Sequence, residues 1–236
     1  MSTIVPSTIA VVPCLDEADG VGRVVSALLR RVAGVIVVDD GSTDETAEVA
    51  RRCGAEVLRH SHPLGKGAAL AAGWTRAREL GAEWGLLLDG DGQHDPDESE
   101  PFFRQAEDGA QLIIGDRLSS GDPMPWVRRQ TNRWVSRRIS ALAGCPIPDA
   151  LCGYRLVHLP SLDRLRLHSR HYEIESEMTL AAVRAGLRLA FVPIRSRYGS
   201  ERSKIRPARD TVRWFCWYLG VHPMAGRSPS RIRTGG

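Results

Sequence analysis

The 236-residue chain predicts an α/β fold in which a mostly parallel sheet carries helices on both faces. Three observations lead there: short β-branched runs ending in small or acidic residues, helical periodicities alternating with them, and carboxylates at the ends of the predicted strands. Near-continuous apolar strands belong to parallel sheets covered on both sides, and such sheets bind ligands beyond their strand carboxyl ends.

The predicted strands run from Thr8 to Pro13, Val35 to Asp39, Ala55 to Arg59, Trp84 to Asp89 and Leu112 to Gly115. Helical spacing fills the gaps: Val21 to Arg31, then Thr43 to Cys53 opened by a capping-box pair, Ser42 and Glu45, then Leu64 to Leu80 with Leu70, Trp74 and Ala77 on one stripe. Beyond the fifth strand, Trp126 to Ala143 predicts a basic amphipathic helix. Val127, Thr131, Trp134 or Val135, Ile139 and Leu142 share one side and Arg128, Arg129, Arg133 and Arg137 line the rest. A helix over Glu175 to Ala185 and a strand over Leu189 to Ile194 follow, and the Gly-, Pro- and Arg-rich residues 221–236 read as a basic flexible tail.

Residues 1–220 fit one domain. A composition 42% hydrophobic and 25% charged is that of a globular protein. The five cysteines form neither a CxxC pair nor a Cys/His zinc pattern, so they read as reduced and packing. The amino terminus lacks the marks of a secretory signal, and no apolar run approaches the ~18 residues of a membrane span; the expected location is cytoplasmic. The net charge of +4 hides an asymmetry, −9 over residues 1–115 and +13 over 116–236. One half suits a cation, the other phosphates or an anionic surface.

The strongest local signal is LLLDGDGQHDP, where a buried strand delivers Asp89 and Asp91 into a glycine-rich turn. Two carboxylates one residue apart can share Mg²⁺ or Mn²⁺, an ion that completes its shell with water and phosphate oxygens. Gln93 adds a neutral oxygen; His94 reads as a turn residue. In VIVVDDGSTDET, Asp39 and Asp40 stand at a strand end, where a carboxylate accepts hydrogen bonds from a base or ribose, or caps the next helix. Lys66 lies in LGKGAAL, which lacks the full phosphate-loop pattern and reads as part of a donor pocket. Glu173, Glu175 and Glu177 alternate in HYEIESEM, so an extended stretch would present all three on one face.

VVPCLDEADGV, VVDDGSTDET, GKGAALAAG, LLLDGDGQHDP and DALCGYR occur in the order and spacing of family 2 glycosyltransferases, and the chain most resembles the dolichol-phosphate-mannose synthase type over roughly residues 8–205. The resemblance implies a GT-A, Rossmann-like fold, an inverting reaction and a nucleotide-sugar donor, with residues 1–115 as the donor half and 116–220 as the acceptor half. It implies that Pro13, Leu15, Glu17, Asp39 and Asp40 line the nucleotide pocket, Asp40 being the better candidate for the base. Lys66, Asp89 and Gly90 belong to the same site, and Asp89, Asp91 and Gln93 hold the metal. Arg117, Arg155, Arg202 and Lys204 map to the phosphate-facing side, where fixed cations stabilise a departing diphosphate. Asp91, Arg117 and Lys204 are thereby catalytic candidates, and Glu175, from the alternating glutamates, joins them as a candidate general base.

Three departures stand out. Leu15 and Asp16 replace the usual tyrosine-asparagine, Gly90 is the middle of the acidic pair, and Asp116 stands where serine is common. The first removes an aromatic stack on the base, and the last adds a carboxylate near phosphates.

A polyprenyl phosphate is the leading acceptor by resemblance. A hydroxyl acceptor is the alternative and would need a base such as Glu175 or Glu177. Arg206, Arg209 and Arg213 run into Trp214, Phe215, Trp217, Tyr218 and Leu219, a segment suited to an anionic headgroup zone, to the core, or to a homodimer interface. A non-catalytic nucleotide-binding module is opposed by the intact Asp89 and Asp91. No GxGxxG follows the first strand, and no nucleic-acid recognition motif accompanies the basic half.

Overall fold

The computed structural model describes residues 3–120, 124–196 and 207–221. Arg202, Lys204, Arg206 and the tail beyond 221 lie outside the described residues. Seven strands form one sheet: β1 (Thr8–Cys14), β2 (Gly34–Asp39), β3 (Glu56–Arg59), β4 (Trp84–Leu87), β5 (Leu112–Asp116), β6 (Arg155–His158) and β7 (Leu189–Pro193). Their order is β3-β2-β1-β4-β6-β5-β7. All pairings are parallel except those of β6, which runs antiparallel to both β4 and β5.

The chain winds outward from β1 to β3 and then returns to place β4 on the other side of β1. The carboxyl ends of β1 and β4 therefore flank the point where winding reverses, which is where open α/β sheets carry their ligands.

Helices cover the sheet: α1 (Ala18–Leu28), α2 (Thr46–Arg52), α3 (Lys66–Glu79), α4 (Glu100–Glu107), α5 (Trp126–Ala143), α6 (Ile174–Arg184) and α7 (Pro207–Val221). In α1, Val21, Val24, Val25 and Leu28 are buried at i, i+3, i+4 and i+7. Each such side chain is worth roughly 1.5–3 kcal/mol of transfer free energy, so this stripe fixes the helix on the sheet. A second core gathers Val135, Ile139 and Ala143 of α5, Leu180 and Val183 of α6, and Trp214 of α7.

Several expectations need correction. The Ser42–Glu45 capping box does not form: α2 starts at Thr46, Ser42 Oγ accepts from the Asp16 amide (2.9 Å), and Asp44 Oδ1 accepts from the Thr46 amide (2.9 Å). Asp44 thus caps the start of α2 through Oδ1, while its Oδ2, which accepts from the Ala18 amide (3.1 Å), and Ser42 Oγ tie this loop to the one after β1. Residues 174–184 are helical, so Glu175 and Glu177, two residues apart, point to different sides and the three-glutamate face does not exist. Strand β6 and helix α4 were not anticipated. Among the described residues, no helix is long and apolar enough to cross a membrane.

Candidate active site

The loops after β1 and β2 are bound to one another before any ligand is considered. The Asp40 amide donates to the Cys14 carbonyl (2.8 Å), and the Glu17 amide to Thr46 Oγ1 (2.7 Å). Asp16 adopts φ 51°, and its Oδ1 accepts from the Thr43 amide (2.7 Å) and hydroxyl (3.1 Å). A short carboxylate that tolerates the left-handed region and bonds locally suits this turn. The departure at Asp16 thus has a structural use.

Asp39 is fully buried. Its Oδ1 accepts from the Ser42 amide (2.8 Å), while Oδ2 lies 3.1 Å from Arg59 Nε without a hydrogen bond formed. Asp40 is committed elsewhere: Oδ1 meets His60 Nδ1 (2.7 Å) and the Leu64 amide (2.9 Å), and Oδ2 the Gly65 amide (2.8 Å). Asp40, the expected base-binding residue, is thus engaged in closing the loop into α3, while Asp39 Oδ2 accepts no hydrogen bond and pairs with the Arg59 side chain.

The start of α3 is covered as well. The Gly67 amide donates to the Arg170 carbonyl (2.8 Å), and a Cβ on Gly65, whose φ is +104°, would lie 2.2 Å from His171 Nδ1. LGKGAAL thus brings Lys66 to the site, with Leu70 lining the same small cavity. Lys66 Nζ lies 2.5 Å from Asp89 Oδ1 and 2.6 Å from Glu175 Oε1, with the Tyr172 ring centroid 5.9 Å away. Burial would discharge this lysine, but the two carboxylates outweigh burial and hold it firmly protonated.

Beyond β4 the chain turns through Asp89, Gly90 and Asp91. Gly90 packs closely on the end of β1: a Cβ there would sit 2.4 Å from Cys14 Sγ, so no side chain fits. Burial alone would raise the Asp89 pKa, yet Lys66, with help from Arg117, holds it below the ordinary range. Asp91 goes the other way. Burial first, then the charges of Asp89 and Glu17, push it up to about 7, against the bond its Oδ1 accepts from the Gln93 amide (2.9 Å).

A hard divalent cation fits this pair, since it would relieve the repulsion that keeps Asp91 protonated. Among the described residues no group of three or more His, Cys, Asp or Glu side chains forms a ready-made cage. Two carboxylates suit an ion that completes its shell with substrate oxygens. His94 is buried with Nδ1 unpartnered. Burial and Arg117 lower its pKa to about 4, so it stays neutral.

The predicted phosphate-facing arginines need correction. Arg117 is 7% exposed and locked to Asp149 through Nε–Oδ2 (2.7 Å) and Nη2–Oδ1 (2.9 Å). Arg155 is 1% exposed. Its guanidinium donates to the carbonyls of Cys152 (2.8 Å), Glu175 (2.8 Å) and Ala150 (3.0 Å) and to Thr179 Oγ1 (3.1 Å). It ties β6 to α6 and faces no open surface. Glu175, a catalytic candidate, is a buried partner of Lys66, and Glu177 accepts from the amides of His168 (3.0 Å) and Ser169 (2.8 Å). Asp149 was missed, although it opens the DALCGYR segment.

The structure thus brings Glu17, Asp39, Lys66 and the Asp89–Gly90–Asp91 turn to the switch point and sends Arg155 into the scaffold. The Glycosyl transferase family 2 profile matches residues 9–166. An undecaprenyl-phosphate mannosyltransferase of Micrococcus luteus is 30% identical over 199 residues, covering 79% of this chain and 82% of its own length. A polyprenol monophosphomannose synthase of Mycolicibacterium smegmatis is 29% identical over 203 residues, covering 79% and 76%. Among solved structures, glucosyl-3-phosphoglycerate synthase from Mycobacterium tuberculosis in complex with Mn²⁺ and uridine-diphosphate-glucose has a TM-score of 0.70 at 22% identity, across 91% of this chain and 79% of that one. That likeness gives the architecture, GT-A. With the profile spanning most of the sheet and a 30% identical relative spanning four-fifths of its length, the chain belongs to glycosyl transferase family 2 and is a glycosyltransferase.

Proposed function

We propose that this glycosyltransferase is inverting and divalent-cation-dependent, and that it moves a hexose from a UDP- or GDP-sugar to a polyprenyl phosphate. Asp89, Asp91 and the Gln93 side chain would hold Mg²⁺ or Mn²⁺. When bound, the ion neutralises charge that develops on the departing diphosphate. The Asp39–Asp40 pair accepts from the base, with Pro13, Leu15 and Glu17 lining the same pocket. Arg202 and Lys204 remain in this reading as diphosphate-facing cations. Attack by the acceptor phosphate opposite the leaving group inverts the anomeric carbon.

The observation that carries the acceptor class is the state of Glu175 and Glu177. A hydroxyl acceptor calls for a carboxylate base, and both glutamates are engaged, one by the Lys66 ammonium and one by backbone amides. A phosphate acceptor is already anionic and needs no base. The names of the two relatives, both specifying polyprenyl-type phosphates or products, support the same class.

Helices α5 and α7 supply a surface suited to such an acceptor. Trp134 of α5 meets Trp214 and Phe215 of α7, with ring centroids 5.5 and 5.4 Å apart. Trp126, Val127, Phe215 and Leu219 are exposed beside Arg133, Arg137 and Arg138, and α5 carries no acidic residue. A groove of about 480 Å³ runs along α5 between Arg133, Arg137, Leu118 and Ile147. Basic and apolar groups together suit peripheral contact with an anionic membrane at its cytoplasmic face; a homodimer through the same face is the competing occupant.

The test is release of nucleoside diphosphate from a panel of UDP- and GDP-sugars with Mn²⁺ or Mg²⁺, with and without a short polyprenyl phosphate. Release that depends on the lipid phosphate is expected. Slow hydrolysis unaffected by the lipid would overturn the acceptor assignment, and full activity in excess chelator would overturn the metal.

A further inference from the structure

Lys66 and Glu175 stand 109 residues apart in sequence and meet at 2.6 Å next to the acidic turn. Lys66 takes Asp89 by Oδ1, so Oδ2 is the oxygen it leaves. Gly153 closes over the trio: a Cβ there would lie 2.6 Å from Asp89 Oδ2, 2.9 Å from Lys66 Nζ and 3.2 Å from Glu175 Oε1. A cavity of about 10 Å³ borders Lys66, Asp89, Gly153 and Glu175. The ammonium is enclosed, held on two sides by carboxylates, and one of these belongs to the acidic pair. A fixed positive charge this near a cation site acts on the ion as strongly as a ligand does, with opposite sign.

We propose that Lys66, oriented by Glu175, is a positioning residue that fixes Asp89 and weakens the acidic pair for a divalent cation until a nucleoside diphosphate adds its negative charge. The inference rests on the reading that Asp89 and Asp91 hold the ion. Its content is electrostatic: the site carries one positive charge more than its carboxylates suggest, and Glu175 offsets part of it. The ion and the nucleotide then bind cooperatively, so the ion is held chiefly with its substrate. Glu175 acts through Lys66 and touches no reacting group.

The two side chains make opposite predictions. Lys66→Met removes the competing charge and leaves Glu175 beside Asp89, so Mn²⁺ affinity without nucleotide should tighten roughly tenfold or more. Glu175→Gln keeps an oxygen for Lys66 but removes the offset, so Mn²⁺ affinity should weaken by about tenfold. The measurement is the electron paramagnetic resonance signal of free Mn²⁺, titrated against each folded protein with and without UDP and GDP. Tightening in one variant and weakening in the other bears the inference out, since a merely structural pair would shift both in the same direction or neither. Should Lys66→Met fail to fold, Glu175→Gln decides alone: unchanged or tighter Mn²⁺ binding overturns the inference. If the wild-type chain binds Mn²⁺ with nucleotide but Lys66→Met does not tighten the nucleotide-free site, the Lys66 role is overturned and the metal reading stands. If the wild-type chain binds no Mn²⁺ even with UDP or GDP, the metal reading falls and the inference with it.

Discussion

Asp89 and Asp91 are separated by a single glycine, yet Lys66 holds the first ionised while burial and the charge of the first push the second up to about 7. An aspartate whose folded pKa exceeds its unfolded one binds its proton more tightly in the native state, so its protonation favours folding at low pH. That contribution is full below the ordinary value of 3.8 and is lost as pH rises through about 7. In chelator, thermal stability relative to Asp91→Asn should therefore fall between about pH 4 and 7. Added Mn²⁺ should restore it at the upper end, because the cation selects the ionised carboxylate. Calorimetric melts of both proteins across this range check the point, and parallel profiles would refute it.

Arg117 and Asp149 form a buried bidentate pair that reaches from the end of β5 to the DALCGYR segment. Burial would protonate Asp149, but Arg117 keeps its pKa below the ordinary range. Removing one partner strands the other charge, so Arg117→Met or Asp149→Leu should each cost about 3–5 kcal/mol. The double variant should cost clearly less than the sum. Urea melts of the four proteins close the cycle, and additive losses would show that the pair is not coupled.

Much of the architecture was legible because α/β units write their period into the chain. Six of the seven strands and the span of α5 follow from runs such as Val35 to Asp39 and Leu189 to Ile194 and from the spacing of Val135, Ile139 and Leu142. Strand β6 was not legible: four residues beginning with arginine carry no alternation, and only pairing with Leu86 and Ile113 reveals them as a strand. HYEIESEM misled for a related reason. Its glutamates recur every second residue, but Ile174 and Met178, both buried, recur at i and i+4, and burial decides in favour of the helix. The carboxylates at strand ends were readable from local motifs. That Lys66 is spent on Glu175, or that Arg155 is consumed in part by Glu175 and Thr179 of α6, depends on contacts between distant elements that no single segment encodes.

Gly153 has no room for a side chain. An alanine methyl would press on Asp89 Oδ2 at 2.6 Å, on Lys66 Nζ at 2.9 Å and on Glu175 Oε1 at 3.2 Å. Gly153→Ala should lower kcat/KM by about tenfold to a hundredfold if Asp89 holds the ion as proposed, because displacing such a ligand by a fraction of an ångström would misalign the diphosphate. The stability cost should be in the ~1–3 kcal/mol range of overpacking. Steady-state kinetics alongside a melt separate the two. Wild-type kinetics in a folded Gly153→Ala protein would show that the contact is absorbed elsewhere.

Helix α7 presents two kinds of aromatic residue, and they should respond differently. Trp214 is 7% exposed, donates its indole NH to Ser176 Oγ (3.1 Å) and stacks with Tyr218. Phe215 and Leu219, at 41% and 64% exposed, rest on the outside. Trp214→Ala should cost about 3–5 kcal/mol, as loss of a buried large aromatic does. Phe215→Ser with Leu219→Ser, which gives up only the half-exposed ring against Trp134 and Trp214, should lower the melting temperature far less. If the α5–α7 face meets a membrane, the double serine variant should lose most of its co-sedimentation with phosphatidylglycerol vesicles, and raised salt should weaken wild-type binding, since the arginines act through screened charge. Unchanged vesicle binding by the double variant would remove these residues from the contact. A shift from dimer to monomer in the same variant, with no vesicle binding by the wild-type chain, would assign the face to a second copy.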